Sequence, residues 1–206
     1  MKKITHENIE IDSVVIKEAE ATYHSSFKKY KSDEELFYDM CFCILAPQAK
    51  FHGNLYIVNE LKRNNFYYKD ISMKKLIKLC ERSRFKHVKS KRLILAKEKF
   101  PKLIKIIRNN MIDTQEKREW LVKNINGYGM KASSHFLRNC GSDKIAILDT
   151  HIFKFLKADS PKTKKEYLEL ENKFIKIAKQ MQLNPNILDL IIWKHYAKVD
   201  WNEYVY

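Results

Sequence analysis

The sequence predicts an all-α fold of two helical lobes, and three observations lead there. Apolar residues recur at helical spacing along most of the 206 residues. Period-two alternation of β-branched residues, the mark of strands, is scarce. Helix-start chemistry and prolines divide the chain into stretches that suit about ten helices. Ser32-Asp33-Glu34-Glu35 reads as a capping box ahead of Leu36 to Leu45, because the Ser hydroxyl and the Glu carboxylate can each satisfy an orphan backbone N–H. Asp113-Thr114-Gln115-Glu116 offers the same chemistry before Trp120 and Leu121. Pro47, Pro101, Pro161 and Pro185 are placed at boundaries between helices, where a missing donor does least harm. Lys162 to Lys165 reads as a short basic loop, with no repeat or low-complexity segment elsewhere.

With 45% hydrophobic residues the chain can bury a full core without staples. It carries 40 Lys and Arg against 25 Asp and Glu, a net charge of +15, which points to a polyanionic partner, most commonly nucleic acid. Charge that serves solubility alone is the alternative. Cys41, Cys43, Cys80 and Cys140 form no C-x-x-C pair and no metal-spaced set, so they read as reduced, mostly buried thiols. The seven histidines show no convergent spacing, and no metal is expected. Neither a signal-peptide core nor a membrane-length apolar run is present. The expectation is an intracellular, soluble protein, cytoplasmic if prokaryotic.

Three of the four glycines, Gly127, Gly129 and Gly141, lie close together, and Gly53 stands apart. The first two belong to Val122-Lys123-Asn124-Ile125-Asn126-Gly127-Tyr128-Gly129-Met130-Lys131-Ala132-Ser133-Ser134-His135-Phe136-Leu137. A helix ends near Lys123, Gly127 and Gly129 permit a tight turn with positive φ, and a helix restarts by Ala132. This is a helix-hairpin-helix pattern. Its glycines let backbone N–H groups at the second helix's start approach a phosphate with no side chain between. An ordinary tight turn is the alternative. Lys131 stands at the positive end of that helix, which disfavours an ammonium and favours the nucleophilic amine, though a phosphate-binding lysine would suit the same place. Eighteen residues on, Asp149 follows the apolar run Ile145 to Leu148 and can cap the next helix.

At these residues the sequence resembles the helix-hairpin-helix DNA glycosylase superfamily, whose motif is Gly-x-Gly, a lysine two residues later and a downstream aspartate. Gly127, Gly129, Lys131 and Asp149 match it, and Asp149 to Phe153 is similar to the corresponding stretch of endonuclease III. That branch carries a four-cysteine iron–sulfur cluster after the aspartate, whereas no cysteine here follows Cys140. Over Leu36 to Lys198 the chain resembles more the archaeal-type 8-oxoguanine DNA glycosylase/lyase branch. The likeness lies in Cys41 to Leu45, Arg84-Phe85, Ala132 to Asn139 and Leu188 to Trp193.

The resemblance implies a bifunctional enzyme, a DNA N-glycosylase with lyase activity at the resulting abasic site, acting in base-excision repair on double-stranded DNA. Lys131 and Asp149 would be catalytic. Gln48, in Leu45-Ala46-Pro47-Gln48-Ala49-Lys50, would fill the gap left by the extruded base, and Arg84 and Phe85 would meet the orphaned base. Asp189 and Trp193 would bind the flipped base. Taken alone, Trp193 reads as core, Gln48 as a partner for loop backbone, and Arg84-Phe85 as a salt-bridging arginine beside a core aromatic. Phosphate contacts are expected among Lys86, Lys89, Lys91, Arg92 and Lys123. The expected lobes are 32–140, with the hairpin at about 121–140, and 1–31 joined to 141–206, with the flipped nucleotide in the cleft between them. No cofactor is expected beyond a structural monovalent cation that the resemblance suggests at hairpin carbonyls, and a monomer is the default. Family members commonly end near the position of Lys198, so the residues from Val199 to Tyr206 would bear on which base is read. A different lesion, such as an oxidised pyrimidine, and a noncatalytic DNA-binding module remain the alternative readings.

Overall fold

A computed structural model describes residues 4–6, 9–28 and 31–197. The stretch beyond Lys198 that is expected to bear on base reading lies outside the described residues, as does Lys198 itself. Ten α-helices appear among the described residues, with a turn of π-helix at His24–Lys28. A short antiparallel ribbon joins β1 (Ile4–His6) to β2 (Ile9–Ile11), pairing Ile4 with Ile11. Among the described residues this ribbon is the one departure from helical secondary structure.

Contacts divide the chain into 30–136 and a second unit drawn from 1–29 and 137–206. The division falls within a helix, slightly before the Cys140 boundary read from the sequence.

The 30–136 unit is built around α2 (Asp33–Leu45), in which every residue from Leu36 to Leu45 is buried. A helix apolar on all sides must be enclosed by others, and α3 (Phe51–Arg63) and α5 (Lys86–Arg108) pack against it. Phe37 of α2 meets Phe66, Tyr67 and Phe100 with ring centroids 5.2 to 5.5 Å apart. The predicted capping box is present: Glu35 N–H donates to Ser32 Oγ and Ser32 N–H to Glu35 Oε2. Asp39, buried on the same helix, is paired with buried Lys31 at 2.6 Å. The helix α4 (Met73–Leu79) lies on α5.

Pro101 is not at a boundary as predicted but inside α5, which runs through it to Arg108. The exposed ring forfeits one backbone bond of a 23-residue helix, and burial of Leu93, Ala96, Phe100 and Leu103 holds the remainder in place. Beyond α5 come α6 (Thr114–Asn124), opened by the predicted box of Asp113 and Glu116, and α7 (Met130–Asn139).

In the second unit α10 (Pro185–Ala197) packs against α1 (Ser13–Tyr23), α8 (Thr150–Leu156) and α9 (Lys164–Gln180). Pro185 opens α10, where proline's missing donor costs nothing. No helix among the described residues is long and apolar enough to cross a membrane.

Candidate active site

The hairpin is the turn 125–129 between α6 and α7. Gly127 takes φ +95°, the left-handed region, and a Cβ there would stand 2.8 Å from Arg92 Cδ of α5. The backbone angle requires glycine, and any side chain there would also have to displace the arginine laid across the turn. Gly129 corrects the prediction: its φ is not positive, and a Cβ there would meet nothing within 4 Å. The fold does not demand glycine at 129, but a side chain there would screen the start of α7. Ser133 N–H closes the first helical bond on the Gly129 carbonyl. The N–H groups before it in α7 therefore have no intrahelical acceptor, which is the arrangement that receives anions.

Side chains that the sequence did not single out hold this hairpin. Arg118 of α6, fully buried, donates to Ser134 Oγ of α7 at 3.0 Å and to Gln115, tying the two helices together. Tyr128 points its hydroxyl inward to the Met40 carbonyl of α2 at 3.1 Å, so the turn is docked on the central helix. Lys99 of α5 donates to the Asn124 carbonyl at the end of α6. A signal for Arg118 was present: it lies three and seven residues before Leu121 and Ile125, on the buried stripe of its helix. Lys131, in contrast, is exposed in the first turn of α7.

Asp149 belongs to the other unit. It caps α8, with Oδ1 accepting from His151 N–H at 2.8 Å and Ile152 N–H at 3.0 Å. Both bonds fall on one oxygen, and among the described residues Oδ2 takes no hydrogen bond. Capping thus leaves half of the carboxylate for other work. The buried run Ile145 to Leu148 that delivers Asp149 is held by α9: Ala146 N–H donates to Glu171 Oε1 at 3.0 Å and Leu148 N–H to Tyr167 Oη at 3.3 Å.

The remaining predicted residues fall into two groups. Gln48, Arg84 and Phe85 are all exposed in the 30–136 unit. Phe85 is 52% exposed, so it is not a core aromatic, and the Arg84 guanidinium lies 5.0 Å from its ring. Both Gln48, at φ +54°, and Phe85, at φ +62°, occupy the left-handed region. In the other unit Trp193 is half-buried on α10, whereas Asp189 is buried, its Oδ2 accepting from Arg138 Nη1 at 2.9 Å. Arg138 also lies over the Phe27 ring at 4.3 Å, so the Asp189 carboxylate is engaged within the fold.

Among the expected phosphate-contacting cations, Lys91 and Lys123 are exposed, and Lys86 and Arg92 half-buried. Lys89 is a correction. It is 1% exposed and donates to the Leu45 carbonyl (2.7 Å), the Pro47 carbonyl (2.8 Å) and Ser83 Oγ (3.0 Å). Burial pulls its pKa below the ordinary lysine range, an effect that Cys80 opposes and Arg92 reinforces. The physical reason is helical register: Lys89 shares the inward stripe of α5 with Leu93, Ala96, Phe100 and Leu103. Cys41, Cys43 and Cys80 are buried and Cys140 half-buried. Burial raises the pKa of Cys41 and Cys80. No group of side chains suited to a metal ion occurs among the described residues.

A model of the 8-oxoguanine DNA glycosylase family matches residues 17–183. Two curated relatives are named 8-oxoguanine DNA glycosylase/AP lyase. That from Fusobacterium nucleatum is 34% identical, spanning 97% of this chain and 99% of its own. That from Methanocaldococcus jannaschii is 35% identical over 94% of each chain. The crystal structure of the M. jannaschii 8-oxoguanine glycosylase/lyase in complex with a 15mer DNA containing 8-oxoguanine is similar at TM-score 0.76 and 30% identity, over 94% of each chain. Because the family match runs through both the hairpin with Lys131 and the capping segment with Asp149, the chain belongs to the 8-oxoguanine DNA glycosylase family.

Proposed function

We propose that the protein excises 8-oxoguanine from double-stranded DNA and then nicks the strand, with Lys131 as nucleophile and Asp149 as its acidic partner. One observation carries the residue assignment: in a chain of this family, an exposed lysine stands in the first turn of α7, two residues past Gly129.

The damaged nucleotide must leave the stack, since its C1′ is inaccessible inside a duplex. The neutral Lys131 amine then attacks C1′. The Nζ–C1′ bond forms as the N-glycosidic bond breaks, and the base departs with the bonding electron pair and is protonated. Breaking C1′–O4′, with a proton passing to O4′, gives a Schiff base. That group makes the C2′ proton acidic, and its loss expels the 3′ phosphate. The negative charge of Asp149 offsets the developing oxocarbenium charge, and its carboxylate accepts or relays the lysine proton.

The N–H groups opening α7 would hold a phosphate, and Lys86, Lys91, Arg92 and Lys123 would add salt-dependent affinity. Gln48 would fill the gap, Arg84 and Phe85 would meet the orphaned base, and Trp193 would stack on the flipped one. These steps call on no redox group or divalent metal. A monovalent cation at the hairpin would have main-chain oxygens as its donors. It would share them, since the carbonyls of Ile125 and Gly129 each accept an N–H and that of Asn124 accepts Lys99. The enzyme would act as a monomer on the DNA of the cell, in the cytoplasm of a prokaryote.

The test uses an oligonucleotide duplex with 8-oxoguanine opposite cytosine. Wild type is expected to nick it and to be trapped covalently by borohydride. Lys131→Gln is expected to bind the duplex but do neither. A wild-type protein that is trapped on no damaged duplex would be a DNA-binding module, and one trapped only on oxidised pyrimidines would have another substrate.

A further inference from the structure

We propose that Lys89 is a positioning residue of the DNA-reading surface, its buried ammonium locking the turn that carries Gln48 to the turn that carries Arg84 and Phe85. The inference rests on the proposed function in one respect, that these three side chains face DNA.

The geometry joins distant pieces of chain. Lys89 Nζ reaches the Leu45 carbonyl at the end of α2, the Pro47 carbonyl directly before Gln48, and Ser83 Oγ two residues before Phe85. Its own N–H donates to the Phe85 carbonyl at 3.0 Å, closing the first turn of α5. An ammonium has three donors, and all three are used. Each acceptor is a neutral oxygen, none a carboxylate. The carbonyls at the end of α2 carry the negative end of a helix dipole, which favours a cation there.

The positions that flank the clamp explain why so costly a group is buried. Gln48 and Phe85 both hold left-handed backbone, which disfavours any residue with a Cβ, yet both side chains are exposed. Neither earns its conformation by filling the core. Strained residues persist only where their surroundings over-determine them, and they gather at functional sites. Lys89 supplies that determination for both turns with one charged group. Asn54 gives the end of α2 a separate anchor: with its amide turned to suit its neighbours, it donates to the Leu45 carbonyl and accepts from Ala46 N–H. Loss of Lys89 therefore loosens Gln48 without unravelling α2.

The variants are Lys89→Met, which keeps length and removes the charge, and Lys89→Arg, which keeps the charge. Hydrogen exchange reads the clamp directly. In Lys89→Met, amides of both turns, near Gln48 and near Phe85, are expected to exchange about tenfold faster together, while the hairpin 125–131 is unchanged. Single-turnover excision of 8-oxoguanine opposite cytosine is expected to fall by about 10- to 100-fold, as a misplacement near 1 Å would cause. Borohydride trapping on a preformed abasic site, which needs no base extrusion, is expected to stay within about threefold, and Lys89→Arg to recover part of the lost excision. Combining Lys89→Met with Phe85→Ala separates positioning from general destabilisation: once Phe85 is gone, loss of Lys89 is expected to cost clearly less excision than it does with Phe85 present. If Lys89→Met does not fold, Ser83→Ala removes one of the three acceptors and is expected to give smaller changes in the same directions.

Unchanged exchange at either turn would overturn the clamp. Faster exchange with excision intact, or an additive double variant, would overturn its role in presenting these side chains to DNA. Wild type inert on every lesion, with exchange rising as expected in Lys89→Met, would sink the functional reading and leave the clamp standing.

Discussion

At the hairpin turn the left-handed residue is Gly127, whereas at the two turns tied by Lys89 the left-handed residues are Gln48 and Phe85. Both regions lie in the 30–136 unit. In the proposed function they differ in what they offer DNA. The hairpin offers main-chain N–H groups, and a side chain in the way would be a hindrance, so glycine meets the backbone requirement at no steric cost. At Gln48 and Phe85 the side chains themselves are offered. The backbone strain is then tolerated and held from below by a buried ammonium. On that reading, glycine serves where the backbone would be the contact, and tertiary hydrogen bonds serve where the side chain would be.

The largest effect is expected where the hairpin carries chemistry. Lys131→Gln should lower strand nicking by at least about a thousandfold, as loss of a nucleophile does, with duplex affinity by gel shift nearly unchanged. Affinity falling in parallel would make Lys131 a phosphate ligand. The two glycines sharpen the comparison. Gly127→Ala should cost about 2 kcal/mol of stability in urea unfolding, from a left-handed alanine and a displaced Arg92. Gly129→Ala should leave stability within about 1 kcal/mol while weakening binding, since only its approach to phosphate suffers. Equal stability losses at both positions would show that the fold needs both glycines.

Tyr128→Phe should cost about 1 kcal/mol by leaving the Met40 carbonyl without its hydroxyl donor, measured in the same unfolding series. The smallest effect has the opposite sign. Gln48→Gly and Phe85→Gly relieve strain but gain unfolded-state entropy, so each should leave stability unchanged or raise it by up to about 1 kcal/mol. Excision should nevertheless fall. A stability loss above that range would mean that these side chains support the fold, and the contrast with Gly127 would disappear.

Much of this was legible because it is local. The capping boxes of Ser32 with Glu35 and of Asp113 with Glu116, and the Asp149 cap on α8, each join residues within one helical turn, and their spacing announces them. The positive φ of Gly127 was legible for the same reason. Gly129 was read by analogy with its neighbour, although nothing in two adjacent-looking glycines says which of them turns the chain. Pro101 was misread because the rule that proline ends helices gives way when burial on the opposite face sustains the helix. Lys89 was misread because it stands among Lys86, Lys91 and Arg92 and looked like one more surface cation. Its spacing to Leu93, Ala96, Phe100 and Leu103 already pointed inward.

The sequence by itself determined the helical class, the main helix starts, the large positive charge and the hairpin that carries Lys131, all of which depend on near neighbours or on composition, while the link from Lys131 to Asp149 came from the family resemblance. Tertiary structure alone decided which charges are buried and what they hold. The Leu45 and Pro47 carbonyls lie 44 and 42 residues from Lys89, the Met40 carbonyl 88 from Tyr128, and the Asp189 carboxylate 51 from Arg138. A buried polar group is satisfied only by whatever acceptor the folded chain brings within about 3 Å, and no local pattern encodes that meeting.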